Sequence, residues 1–152
     1  MAESFEILHR GKRTGTGEWV EGLITHDIDG TLSSMETFGG WGNSSFFDVD
    51  PETVGVYINW RDKNKTRIFS GDIPRYFDDE IQVVEWDDIF GLFVLHTYAK
   101  YEKTRGRKKT VEFQEGLHYF NDYPIDSMEI IGNIFDNPDI IENYRKSNPN
   151  TE

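Results

Sequence analysis

Short runs rich in β-branched and aromatic residues recur along this chain, bounded by Gly, Asp, Asn or Pro, and predict strands over residues 19–24, 54–58, 81–86 and 90–98. Val54, Val56 and Ile58 alternate with Gly55, Tyr57 and Asn59, a period of two that suits one face of a sheet. Leu92-Phe93-Val94-Leu95 is apolar without interruption, the pattern of a central strand covered on both sides. Asp87-Asp88-Ile89 reads as a hairpin connection with Gly91 opening the next strand, and Gly71-Asp72 supplies another turn. A helix is predicted over 138–145. Asp136 or Asn137 can cap it, Pro138 suits its first position, and Asp139 sits near its positive end. Ile140, Ile141 and Tyr144 give it one apolar stripe, and residues 146–152 form a polar, frayed tail. A second short helix is expected over 116–121. Residues 39–45, with glycines at 39, 40 and 42, read as a flexible loop in which Trp41 is either a plug onto the body or an exposed contact. The fold class expected is mainly β: a pseudo-barrel or coiled, bifurcated sheets with one short C-terminal α-helix. With no repeat and no Pro- or Ser-rich linker, residues 1–152 read as one unit, in which 1–66 and 67–137 form two subregions sharing a core.

Composition narrows the class. At 152 residues the chain is 36% hydrophobic and 29% charged, but four Trp, seven Tyr and eleven Phe provide enough burial area for a folded domain. The formal net charge of −12 repels nucleic-acid phosphates and anionic membranes, leaving only a local basic patch for such partners. Absence of Cys excludes disulfides, thiolate metal sites and cysteine nucleophiles, and fits a reducing cytosol. No apolar run approaches the roughly 20 residues of a membrane helix. Met1 to Glu6 lack the pattern of a secretion signal, so the chain is expected in the cytoplasm where it is made.

Several motifs carry candidate chemistry. Asp27-Ile28-Asp29-Gly30-Thr31-Leu32 matches the first motif of haloacid-dehalogenase-type phosphatases, in which Asp27 would attack phosphorus and Asp29 would handle the leaving-group proton beside Mg²⁺. That chemistry needs a parallel strand of a doubly wound sheet, and no βαβ alternation follows. A hairpin turn closed by Asp29-Gly30 accounts for the same residues. Gly30 also falls at the wrong position for a calcium loop. His9, His26, His96 and His118 form no metal-binding spacing, and the acidic groups Asp78-Asp79-Glu80 and Asp87-Asp88 read as solvated turns. Lys100, Lys103, Arg105, Arg107, Lys108 and Lys109 depart from the overall acidity and read as an exposed loop or hairpin tip able to grip phosphate or an acidic partner. Residues 10–13 and 61–67 are further basic turns. No catalytic, cofactor-binding or metal residue is expected.

Three blocks in order, Asp50-Pro51-Glu52-Thr53-Val54-Gly55, Arg61-Asp62-Lys63-Asn64-Lys65 and Phe69-Ser70-Gly71-Asp72-Ile73, resemble the signature of the YopX-like family. Arg10 to Arg13 with Thr16-Gly17-Glu18-Trp19 extend the resemblance upstream, and Ile130 to Pro138 extend it downstream. The resemblance implies a β-rich protein of phages and prophages of Gram-positive bacteria with no assigned catalysis. This chain departs from the pattern in carrying Lys65 where Gly is common, which points to a different turn geometry. Pro74 stands where Val is usual, favouring an edge or bulge. The shared residues read as turn chemistry, with Trp19, Trp86 and residues 130–135 as core. The leading expectation is a non-enzymatic phage or prophage accessory protein acting through contacts with an unknown protein partner in the host cytoplasm, with homo-oligomers plausible for so aromatic a domain. The first alternative is nucleic-acid binding through residues 100–109. The second is a metal-dependent phosphatase using Asp27 and Asp29.

Overall fold

Many turns among the described residues are closed by a side-chain oxygen accepting from a backbone N–H, and these turns help decide which strands lie side by side. The computed structural model describes residues 4–38, 42–76, 80–120 and 127–146. The protein is mainly β. Its strands are β1 (His9–Lys12), β2 (Trp19–His26), β3 (Leu32–Phe38), β4 (Ser44–Phe47), β5 (Gly55–Arg61), β6 (Arg67–Phe69), β7 (Asp72–Arg75), β8 (Glu80–Asp87), β9 (Leu92–Arg105), β10 (Lys108–His118) and β11 (Glu129–Asn133), followed by one helix, α1 (Pro138–Lys146). Among the described residues strand order is linear in each sheet, and no sheet closes into a barrel. Among the described residues no helix is long and apolar enough to cross a membrane. The chain divides into two compact units, Met1–Trp60 and Arg61–Glu152.

In the first unit the antiparallel order is β4-β3-β2-β1-β5. The β2–β3 connection is the expected tight turn: Asp27 N–H donates to Thr31 O at 2.8 Å, Asp29 Oδ1 accepts from Thr31 N–H at 2.9 Å, and Gly30 takes φ 85°. Gly22 lies against β3 so closely that a Cβ there would collide with the Glu36 carbonyl, so only glycine fits that crossing. Asp50 caps the short 3-10 turn Pro51–Thr53, its Oδ1 accepting from Glu52 N–H at 3.0 Å. Thr53 Oγ1 donates to Asp50 O at 2.6 Å and accepts from Lys12 N–H at 2.9 Å, fastening the turn to the end of β1. Met35, Val49 and Tyr57 are buried. Tyr57 corrects the expected phase of β5: Gly55 and Tyr57 face inward, while Val56 is 36% exposed.

In the second unit β10-β9-β8 form one antiparallel sheet and β11-β7 another. β9 is central, and Val94 and Leu95, which point to opposite faces, are both buried. The core joins Ile73, Val83, Tyr98 and Tyr144, with Ile140, Ile141, Phe113 and Ile131 packed against it. The apolar stripe of α1 therefore covers one face of the β8–β10 sheet. Pro74 sits opposite Ile130, beside a bulge between Ile130 and Gly132, as a missing donor requires. The helix expected over 116–121 is absent at its start, because β10 continues to His118 on hydrogen bonds from β9. Trp86 is not core: it is 53% exposed and meets Phe93 edge to face at 5.1 Å. Trp19 is half-buried beneath the Arg10 guanidinium and the Lys12 ammonium, 4.6 and 5.4 Å from the ring centroid.

Asp62 accepts at both of its carboxylate oxygens. It is buried, with Oδ1 accepting from Asn64 N–H at 2.8 Å and Thr66 N–H at 2.9 Å, and Oδ2 accepting from Ile130 N–H at 3.0 Å. Beside it Lys63 N–H donates to Met128 O at 2.9 Å, so one short loop is sewn to the start of β11. Asp72, also buried, accepts from Phe69 N–H at 2.8 Å. Asn133 Oδ1 accepts from Phe135 and Asp136 N–H at 3.0 and 2.9 Å, and Asn137 Oδ1 turns back to Asn133 N–H at 3.2 Å. Lys65 adopts φ 65°, the left-handed conformation a glycine takes freely, so the turn keeps that geometry at a steric cost of about 1 kcal/mol.

Two stability predictions follow from this loop. Lys65→Gly should raise urea-unfolding stability by about 0.5–1 kcal/mol, whereas Lys65→Ala should give no gain. Asp62→Ala leaves three part-buried backbone donors without their acceptor and should cost about 3 kcal/mol. A loss under about 1 kcal/mol would mean that water replaces the carboxylate there.

Candidate interaction surface

The basic run of residues 100–109 is not an irregular loop but the outer half of the β9–β10 hairpin. Arg105 pairs with Lys108 across the two-residue turn Gly106-Arg107. Gly106 has φ 62° while Arg107 has no positive φ, the type II′ pattern that matches the twist of the flanking strands. β8 accompanies β9 only as far as the Glu80–Ala99 pair. From Lys100 outward the hairpin is two-stranded among the described residues, and every residue from Lys100 to Val111 is exposed. The base is anchored by buried Val94, Leu95, Tyr98 and Ala99. The result is an arm standing on a packed foot.

Strand alternation sorts the six cations. Lys103, Arg105 and Lys108 share one face with Thr110 and Glu112 and line a shallow concavity of about 280 Å³. Lys103 Nζ pairs with Glu112 at 2.9 Å, whereas Arg105 and Lys108 have no ion-pair partner among the described residues. Lys100 and Lys109 fall on the opposite face, where Lys100 Nζ lies over the rings of Phe113 and Tyr144 at 5.7 and 5.8 Å. Arg107 sits in the turn. Trp41 lies outside the described residues. The other basic turns are engaged locally. Arg13 pairs with Glu18 at 3.2 Å and covers Phe47, Arg61 donates to Lys65 O at 2.9 Å, and Lys63 pairs with Glu129 at 3.4 Å.

Asp27 and Asp29 stand at the β2–β3 hairpin tip between antiparallel strands, not at the end of a parallel strand as the phosphatase motif does. Asp29 is fully solvated, and its hydrogen bond from Thr31 holds its carboxyl below the usual range. Its oxygen already serves the turn.

Two polar clusters on the β8–β10 sheet were not legible in the sequence, because their members meet only across strands. On the face covered by α1, His96 stacks on Tyr98 at 4.5 Å, with Nδ1 3.2 Å from Glu85 and Nε2 3.5 Å from Glu115. The carboxylates flank the ring on opposite sides and do not converge on one point. On the other face Thr97 Oγ1 joins His118 Nδ1 at 2.9 Å and Gln82 Nε2 at 3.3 Å. Glu80 Oε2 is buried there without a hydrogen-bond partner. Burial raises the Glu80 pKa, and positive charge on His118 opposes that shift. Among the described residues no group of three or more His, Asp or Glu is arranged to hold a metal ion.

Comparison with known proteins gives two similarities. The family model described as YopX protein matches residues 17–142. Among solved structures, the crystal structure of protein EF1440 from Enterococcus faecalis is similar over 91% of this chain and 99% of that chain, at 20% identity and a TM-score of 0.46. No curated protein matches.

The Glu80 environment sets a pH dependence. A carboxyl whose folded pKa lies above its unfolded value stabilises the fold at low pH and loses that contribution as pH rises through the folded pKa. Glu80→Gln, which never ionises, should therefore raise the thermal midpoint at pH 7. The difference from the wild-type chain should close below about pH 4. Midpoints measured across that range check it; an unchanged difference between pH 3 and pH 7 would contradict the assignment.

Proposed function

The chain belongs to the YopX protein family, and from that premise we propose that it is a non-enzymatic phage or prophage accessory protein that works by protein–protein contact in the bacterial host. The observation that carries the reading is the exposed arm at Lys100–Lys109 of an otherwise acidic chain. Arg105 and Lys108 present free cations on one face, anchored by a buried foot, and attract an acidic protein surface while the rest of the chain repels it. The non-catalytic part of the reading is supported by how the recognisable blocks of the sequence are used. Asp50, Thr53, Asp62, Asp72 and Asn133 direct their oxygens to backbone groups of their own fold.

A second reading has its own observation: Lys103, Arg105 and Lys108 line one concavity with Thr110, a grouping that also suits phosphate oxygens. The two readings separate on salt and probe. Immobilised wild-type chain should retain a host protein from an induced lysate at about 50 mM salt. The triple variant Lys103→Glu/Arg105→Glu/Lys108→Glu should retain at least about tenfold less of that protein, with an unchanged circular dichroism spectrum. Equal retention by both would remove the arm from the proposal. A labelled oligonucleotide, single- or double-stranded, should give no anisotropy change under the same conditions. Binding that falls with a log–log salt slope of about −2 to −3 and disappears in the triple variant would replace the protein partner with a nucleic acid.

A further inference from the structure

The arm has an open edge whose charges are arranged to meet their own copy. β10 has β9 on one side, and no other strand pairs with it among the described residues. A two-residue turn makes Arg105 and Lys108 a pair that exchanges both of its hydrogen bonds, and such pairs alternate along the hairpin. Even-numbered residues of β10 therefore direct their N–H and C=O groups toward β9. Lys109, Val111, Phe113, Glu115 and Leu117 direct theirs to the open edge. Tyr144 confirms the phase: its hydroxyl lies 2.7 Å from Ala99 O and 3.4 Å from Gln114 O, two carbonyls that face each other across one such pair. An unprotected edge of this length is a template for another strand.

The side chains select which strand. Along β10 the cations Lys108 and Lys109 come first, and the anions Glu112 and Glu115 follow. An antiparallel second copy reverses that order. Paired about Glu112, Lys109 meets Glu115, Val111 meets Phe113 and Thr110 meets Gln114, each twice, with both members of every pair on one face. Glu112 meets its own copy, but each is already paired with Lys103 at 2.9 Å. Glu115 contacts His96 through Oε2, which leaves Oε1 for the incoming lysine. Moving the axis to Phe113 sets Lys109 opposite Leu117 and Val111 opposite Glu115. Moving it to Val111 sets Lys109 opposite Phe113. Neither neighbouring register pairs Lys109 with a carboxylate. We propose that β10 is a self-recognition edge, two copies pairing antiparallel about a two-fold axis through Glu112 to join their β8–β10 sheets. An isologous contact of this kind closes as a dimer. It uses the strand edge and Lys109, and it does not rest on the acidic-partner reading.

The absence of cysteine in the chain permits a direct test. In the proposed register Glu112 and its copy form a pair without mutual hydrogen bonds, about 4.5 Å apart at Cα, within disulfide reach. Residue 114 and its copy lie four positions out of register, about 13 Å apart, beyond that reach. Under mild oxidation Glu112→Cys should form an intermolecular disulfide at least about tenfold faster than Gln114→Cys. An added Arg105→Glu, which weakens docking to an acidic partner, should leave that rate unchanged. Sedimentation of the wild-type chain should show a concentration-dependent monomer–dimer equilibrium, and Lys109→Glu should weaken it about tenfold or more. A wild-type chain that stays monomeric at several hundred micromolar, or Gln114→Cys linking as fast as Glu112→Cys, would overturn the proposal.

Discussion

A buried backbone N–H needs an acceptor, and in this chain the tight turns meet that need with side-chain oxygens. Asp62 is one such case. Its carboxylate serves two amides of its own loop and one of β11, 68 positions later in the sequence, so it sets both a turn and the register of a distant strand. Asp72 closes the local turn between β6 and β7, and Asn133 closes the bend into α1. Because an unsatisfied buried amide costs about 1–3 kcal/mol, such residues are fixed in identity by geometry. Glutamate is one methylene too long, and alanine accepts nothing.

That constraint separates framework from surface. The side-chain oxygens of the turn acceptors Asp50, Asp62, Asp72 and Asn133 are already engaged by their own fold. The exposed β9–β10 arm contributes no buried side chain beyond Ala99 on β9. Its sequence is free to change charge and edge character without disturbing the foot, which is where contact surfaces are expected to diverge. One cation face and one open strand edge on the same arm offer two distinct kinds of contact, electrostatic and backbone-directed.

Much of the framework was legible because turn chemistry is local. Asp29-Gly30 announced the β2–β3 hairpin, Asp50-Pro51 a capped turn, and Asn137-Pro138 the start of α1. Leu92 to Leu95 announced a strand buried on both faces, which holds at Val94 and Leu95 but not at Leu92, 36% exposed. What stayed hidden depends on partners. β3 and β4 are rich in Ser and Thr, and β10 is mostly polar, so each becomes a strand only beside its neighbour. The phase of β5 misled because Gly55 and Tyr57, not the valines, face inward. Trp86 was read as core among the shared residues, yet it lies toward the exposed β8–β9 turn. The His96 and Thr97 clusters join residues 11 to 21 positions apart, a proximity that exists only once the register is set.

The central claim is that rigid turns held by side-chain acceptors carry an arm with one open edge, and residue-resolved amide hydrogen exchange tests it most directly. Amides of Thr66, Phe69 and Ile130 should exchange only in global unfolding of their unit. In dilute protein, protection along β10 should alternate, strong at Thr110, Glu112 and Gln114 and weak at Val111, Phe113 and Glu115. Fast exchange at Thr66, Phe69 and Ile130, or uniform protection of both sides of β10 in dilute protein, would contradict the account.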